Sequence, residues 1–128
     1  MIYLLIALGG ATGSVVRFWF STWIDTRLHS PFPWGTLGVN VLGSLLIGFL
    51  AALEFNHRLL GGPAARALLL TGFCGGYTTF SAFSLQILTL MRDGKWPLAA
   101  IYIVGTVLVC LGSVWVGHAA AGLLNTRA

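Results

Sequence analysis

The sequence predicts an all-α membrane protein: four transmembrane helices with a break in the third, forming one domain over residues 1–128. Three observations carry this. Apolar residues (A, V, I, L, M, F, W, Y, C) make up 57% of the 128 residues and charged ones only 8%, whereas soluble domains run near about 45–50% and about 25%. A membrane helix takes roughly 20 apolar residues, so four spans would use about 80 and leave enough for the connections. Seventeen glycines suit helices that pack backbone against backbone. The formal charge of +4 comes from seven Lys and Arg spread along the chain without a basic run, which argues against nucleic acid as a partner.

The first span runs from Ile2 to about Trp23 and carries one basic residue, Arg17. It lacks a basic leader and a small-residue cleavage site, so it is expected to stay as a span rather than be removed. Pro31 and Pro33 in the following connection stop any helix from continuing. The second span, Trp34 to Leu53, places Thr36, Asn40, Ser44, Gly48 and Ala52 every four residues along one face. Ser44, Gly48 and Ala52 fit a small-residue packing seam. Asn40 stands apart, because an amide with two donors is costly at mid-membrane.

Gly61-Gly-Pro63 marks a turn before the third span, about Ala64 to Met91. Its segment Thr71-Gly-Phe-Cys-Gly-Gly-Tyr-Thr-Thr-Phe80 crowds glycines and hydroxyls where the membrane centre falls, and predicts a helix break. Unwound backbone near Gly75 to Thr78 frees carbonyl oxygens able to hold a hard cation such as Na⁺. Beyond it, Phe80 and Phe83 share one face of the resumed helix, and Ser81 and Ser84 the neighbouring one. Ring edges are positive, so two such rings can hold a small anion without the grip of a fixed cation; a pair at this spacing also serves packing alone. After Arg92-Asp-Gly-Lys-Trp-Pro97 comes the fourth span, Leu98 to Leu124. Tyr102, Thr106, Cys110 and Ser113 form its polar stripe, which either lines a path or bonds back to its own helix, with Tyr102 in an interfacial belt.

Several functions are disfavoured by what the spans lack. Asp25, Glu54 and Asp93 all sit at span ends or in connections, which weakens proton-coupled cation exchange. Cys74 and Cys110 have neither CxxC spacing nor a nearby His, so they are expected as buried thiols. No nucleophile, base and orienting group come together, so an enzyme is not expected. Arg58, Arg66 and Arg127 fall on one side of the membrane and Arg27, Arg92 and Lys95 on the other, with Arg17 if it reaches that interface. So even a balance fits insertion in both orientations with antiparallel pairing, or a small bias masked by lipid and insertion machinery.

Gly9-Gly-Ala-Thr-Gly-Ser-Val-Val-Arg17-Phe, Gly35-Thr-Leu-Gly-Val-Asn40 and Gly72-Phe-Cys-Gly-Gly-Tyr-Thr-Thr-Phe80-Ser-Ala-Phe83-Ser resemble, in order and over nearly the whole chain, the fluoride channels called Fluc or CrcB. The resemblance implies a passive fluoride-selective channel of the cell inner membrane that lets cytoplasmic fluoride out and so lowers its toxicity. It further implies an antiparallel dual-topology homodimer with two pores and a central structural Na⁺. By position, Phe80 and Phe83 would be the pore phenylalanines, with Ser81 and Ser84 beside them, and Asn40 a pore-lining donor. The Gly75 and Thr78 carbonyls would hold Na⁺. Tyr102, Thr106 and Cys110 would form the hydroxyl track, and Arg17 the basic position at the entrance. Ala82, Gln86 and Cys110 depart from the common pattern, which has a hydroxyl, a glutamate and often a serine there. A small multidrug-resistance-type exporter is the alternative, but its chemistry needs a carboxylate deep in the first span, where this chain has none.

Overall fold

The computed structural model describes residues 1–55 and 62–125. Arg58, Gly61 and Arg127, which entered the sequence reading, lie outside them. Four helical stretches are long and apolar enough to cross a membrane: Ile2–Leu28, Trp34–Leu53, Pro63–Arg92 and Trp96–Leu124. Helix α1 (Ile2–Leu28) outruns its predicted end near Trp23, since Ile24 to Leu28 contains no residue that breaks a helix. It stops where His29 takes a left-handed conformation at φ 46°. Helix α2 (Trp34–Phe55) starts directly after Pro33. Its first turn is held by Asp25, whose Oδ1 accepts from the Gly35 backbone N–H at 2.8 Å, placing a carboxylate at the positive end of the helix.

The third span consists of two helices. Helix α3 (63–77) comprises an α-helical turn Pro63–Arg66, a π-helical stretch Ala67–Cys74 and a last turn Gly75–Tyr77. Thr78 (ψ 157°) and Thr79 (φ −148°, ψ 120°) are extended, and helix α4 (Phe80–Arg92) resumes beyond them. The Thr79 hydroxyl caps α4 by accepting from the Ala82 N–H at 3.1 Å, as an N-cap threonine does. A tight turn with Gly94 at φ 74° leads to helix α5 (Trp96–Asn125). That helix begins two residues before the predicted Leu98, because a proline is tolerated in the first helical turn, where no N–H is required of it.

The break lets one span serve two neighbours. Helix α3 packs on α1, whereas α4 packs on α5, and α5 has its most extensive contact with α2. Small residues set the closest approaches. A side chain at Gly13 would run into the Phe73 carbonyl and the Tyr77 and Gly76 backbone, and one at Gly76 into Gly10. Gly48 and Gly117 similarly bring α2 and α5 together, against Val114 and Leu45, which matches the predicted seam on the second span. In a bilayer such contacts supply the packing that the hydrophobic effect supplies in water. Gly13→Val is therefore expected to part α1 from α3 at a cost of about 1–3 kcal/mol, read as a lower melting temperature and poor recovery from detergent. Wild-type melting would show that this contact is dispensable.

The bundle's outer surface is apolar: Val15, Trp19, Leu108 and Trp115 are all more than 60% exposed, as suits lipid or another protein.

Candidate functional site at the broken helix

The backbone at the break has lost its helical partners and found others. Asn40, buried on α2, faces it with both ends of its amide. Oδ1 accepts from the Thr79 N–H at 2.8 Å, and Nδ2 donates to the Thr79 carbonyl at 3.0 Å. The amide thus stands in for a strand neighbour and satisfies an extended residue that would otherwise leave two backbone groups unpaired. Asn40 retains one further N–H, for which the described residues provide no acceptor.

This clamp also accounts for the carbonyls at Gly75 and Thr78. In a continuous helix the Gly75 oxygen would accept from the Thr79 N–H, and the Thr78 oxygen from the Ala82 N–H. The first of these donors is turned to Asn40 and the second to the Thr79 hydroxyl. Among the described residues neither carbonyl has a replacement donor. By contrast, the Cys74 carbonyl accepts from both the Thr78 N–H and its hydroxyl. The two oxygens left over are hard donors of the type that suits Na⁺, and they are the two the sequence resemblance singled out.

Two clefts carrying polar side chains flank the clamp, and Thr79 belongs to the wall of both. The first, of about 290 Å³, is bounded by Arg17, Ser21 and Asp25 of α1, Thr36 of α2, and Gln86 of α4. Arg17 is half-buried there. The second, of about 320 Å³, is bounded by Asn40, Ser44, Phe80, Phe83, Thr106 and Cys110, among others. The two polar stripes expected on α2 and α5 therefore do face each other. The Thr106 hydroxyl, 6% exposed, is the one buried side-chain oxygen among the described residues with no hydrogen-bond partner. A buried hydroxyl on a cleft wall is normally satisfied by water or a ligand. Ser113, one turn below Cys110, instead bonds back to the Val109 carbonyl at 2.8 Å.

The remaining predicted residues divide between core and surface. Phe83 is buried at 5% exposure, its ring tilted against Tyr102 with centroids 5.0 Å apart, whereas Phe80 is 77% exposed although only 5.5 Å from Phe83. Ser81 and Ser84 share the exposed side of α4. Ser84 donates to the Phe80 carbonyl at 2.9 Å, Ser81 pairs with the Thr79 hydroxyl at 3.3 Å, and neither lines either of these two clefts. Tyr102 occupies the core at 0% exposure, not an interfacial belt. Its hydroxyl donates to Gln86 Oε1 at 2.8 Å. Cys74 and Cys110 are free thiols, Cys74 buried and Cys110 on the second cleft.

Thr36, Thr79 and Gln86 escaped the list of candidate residues. Thr36 heads the same four-residue stripe as Asn40, and Gln86 stands three residues beyond Phe83 on the resumed helix, so their spacing could have found them. Nothing local could have shown that Thr79 is where α2 grips the backbone.

A four-span bundle whose third span is broken at mid-depth, with a cleft on each side of the break, defines a small multi-pass membrane protein. Residues 4–118 match the family described as CrcB-like protein, Camphor Resistance (CrcB). The chain is 52% identical over 126 residues to the "Fluoride-specific ion channel FluC" of Opitutus terrae, covering 98% of this chain and 96% of that one. It is 45% identical over 124 residues to the protein of the same name from Paramagnetospirillum magneticum (96% and 97% covered) and 46% over 126 residues to that from Rhodospirillum rubrum (98% and 98%). The chain belongs to the CrcB family.

Proposed function

We infer that this protein is a fluoride-selective passive channel. The observation that carries the reading is its end-to-end identity of 52% with a fluoride-specific channel. The site supports it in physical terms. Fluoride is small and strongly hydrated, so a pore must replace its water with donors while staying too narrow for larger anions. The free Asn40 N–H, the unpartnered Thr106 hydroxyl, the Cys110 thiol and the positive edges of Phe80 and Phe83 surround one cleft. Arg17 stands on the other, where a cation raises the local anion concentration. Downhill flow suits a cell of the inner membrane: hydrogen fluoride enters from an acidic exterior, ionises inside, and the negative interior drives the anion out, which relieves toxicity.

The functional unit is an antiparallel homodimer with dual topology. Three features favour it: the even balance of Lys and Arg, the exposed Phe80 that must meet a second surface to narrow a pore, and the serines exposed beside it on α4. Two copies would bring four unpaired carbonyls, Gly75 and Thr78 from each, and a Na⁺ held by them would tie the breaks together as a structural ion. The exporter alternative has no support, since no carboxylate lies inside the first span's core.

The test is efflux from liposomes loaded with KF or KCl and triggered with valinomycin. Rapid fluoride loss with little chloride loss is expected. Equal loss of both ions, or no fluoride loss from folded protein, would overturn the reading.

A further inference from the structure

Of the chain's cysteines and methionines, Cys110 alone borders the two clefts at the break. It is half-buried on α5, one turn beyond Thr106, and the Ser44 hydroxyl of α2 is its hydrogen-bond neighbour across the second cleft. Cys74, the other free thiol, is 1% exposed and lines neither cleft. The polar groups around Cys110 are amides and hydroxyls, hard groups that exchange water and ions readily. A sulfur ligand differs in kind, because it bonds soft metals far more firmly than oxygen does. The same wall also offers something to a metal's second ligand. The Thr106 hydroxyl is buried, without a partner among the described residues, and on the face of α5 that carries Cys110. With the spare Asn40 N–H, it leaves two donors free for a group bound beside the sulfur.

We propose that Cys110 makes the second cleft a binding site for thiophilic metals, and that a metal on its sulfur closes the fluoride path. The closure rests on the channel reading above; the binding does not. Mercuric chloride is the suitable probe, being soft, small and uncharged, since a free cation is costly at this depth of a membrane. In the reaction the Cys110 S–H bond and one Hg–Cl bond break and an S–Hg bond forms. A proton and a chloride ion leave, and nothing is oxidised or reduced. The metal itself displaces the proton, so a half-buried neutral thiol serves as its ligand. The chloride that stays on the metal is the acceptor for the Thr106 O–H or the Asn40 N–H. Those are donors a passing fluoride would use, and the adduct also fills part of a cleft of only about 320 Å³. A pore narrow enough to select fluoride has no room for both. A serine at residue 110 would keep a hydrogen-bonding group but hold no soft metal.

The experiment measures fluoride efflux from KF-loaded liposomes with and without micromolar mercuric chloride, each protein against its own untreated rate, with leak from protein-free vesicles subtracted. Wild type is expected to lose nearly all of its efflux and to regain it with excess dithiothreitol. Cys74→Ala should lose it in the same way, whereas Cys110→Ser should hold its own untreated rate. Intact-protein mass spectrometry after brief treatment of the folded protein counts the metal directly. One mercury per chain is expected on wild type and on Cys74→Ala, and none on Cys110→Ser. Undiminished efflux from treated wild type, or an equal block in Cys110→Ser, overturns the proposal. So does the absence of mercury from wild type and Cys74→Ala, an outcome that needs no serine variant to interpret. A wild type that binds one mercury at Cys110 but conducts no fluoride before treatment would instead overturn the channel reading and leave the metal site standing.

Discussion

Asn40→Asp is expected to lower fluoride flux by roughly two orders of magnitude and to lower the melting temperature of the purified protein. The change is nearly isosteric, so its effect isolates hydrogen-bond polarity. A carboxylate still accepts from the Thr79 N–H, but it loses the donor that meets the Thr79 carbonyl at 3.0 Å and sets two oxygens against each other. Asn40 is 9% exposed, so an ionised carboxylate there is also poorly solvated. Losing one partner of a buried polar pair costs about 1–3 kcal/mol, more for charged groups, and about 2.8 kcal/mol is a hundredfold in an equilibrium. Consequences should extend beyond the amide itself. If Thr79 is released, its N–H can return to the Gly75 carbonyl, the break can close toward a regular helix, and α4 would swing away from α5. Hydrogen exchange at the Thr79 amide would report that release directly. Wild-type flux and melting in Asn40→Asp would mean that the break holds without the clamp.

The origin of the break shows what a single sequence can and cannot reveal. Glycines and hydroxyls between Thr71 and Phe80 correctly mark an interruption, but the glycines do not make it. Gly72, Gly75 and Gly76 all remain helical, and Gly72 and Gly76 lie against the backbone of α1 at Ile6, Gly9 and Gly10. The chain leaves the helix two residues later, at Thr78 and Thr79, where a side chain 39 positions away competes for the backbone. Periodicity along one span sees the weakness; only the partner helix decides where it gives way. Similarly, the stripe from Thr36 to Ala52 correctly predicts a face of α2, yet that face divides its work. Thr36 reaches Gln86, Asn40 holds Thr79, Ser44 borders a cleft, and Gly48 packs on Val114. Four-residue spacing puts side chains on one line, whereas their partners come from three different neighbours. Gln86 was visible as a departure from the common glutamate but not as a bridge, because its two partners are 50 and 16 residues distant.

Phe83→Ala and Phe80→Ala should both reduce fluoride flux by at least about tenfold but differ in stability, and the difference separates packing from conduction. Phe83 is 5% exposed and sits in a cluster with Leu90, Ala99 and Tyr102, so truncation removes contacts within the chain. In water such a deletion costs about 3–5 kcal/mol. The cost within a membrane is smaller, because lipid is as apolar as the cavity lining and only the packing is lost. Phe80 has no comparable environment: at 77% exposure its truncation should leave the melting temperature of one folded chain unchanged. Any fall in flux then reflects either the ring edge offered to the ion or the surface of a second subunit that Phe80 meets. Phe83→Met resolves the ambiguity for the buried ring, since methionine refills most of the space with flexible apolar atoms but carries no positive edge. Restored melting with flux still lost would tie conduction to the quadrupole of the ring. Restored melting with restored flux would reduce Phe83 to a spacer, and the anion's donors would then be the Asn40 amide, the Thr106 hydroxyl, the Cys110 thiol and the Phe80 ring edge.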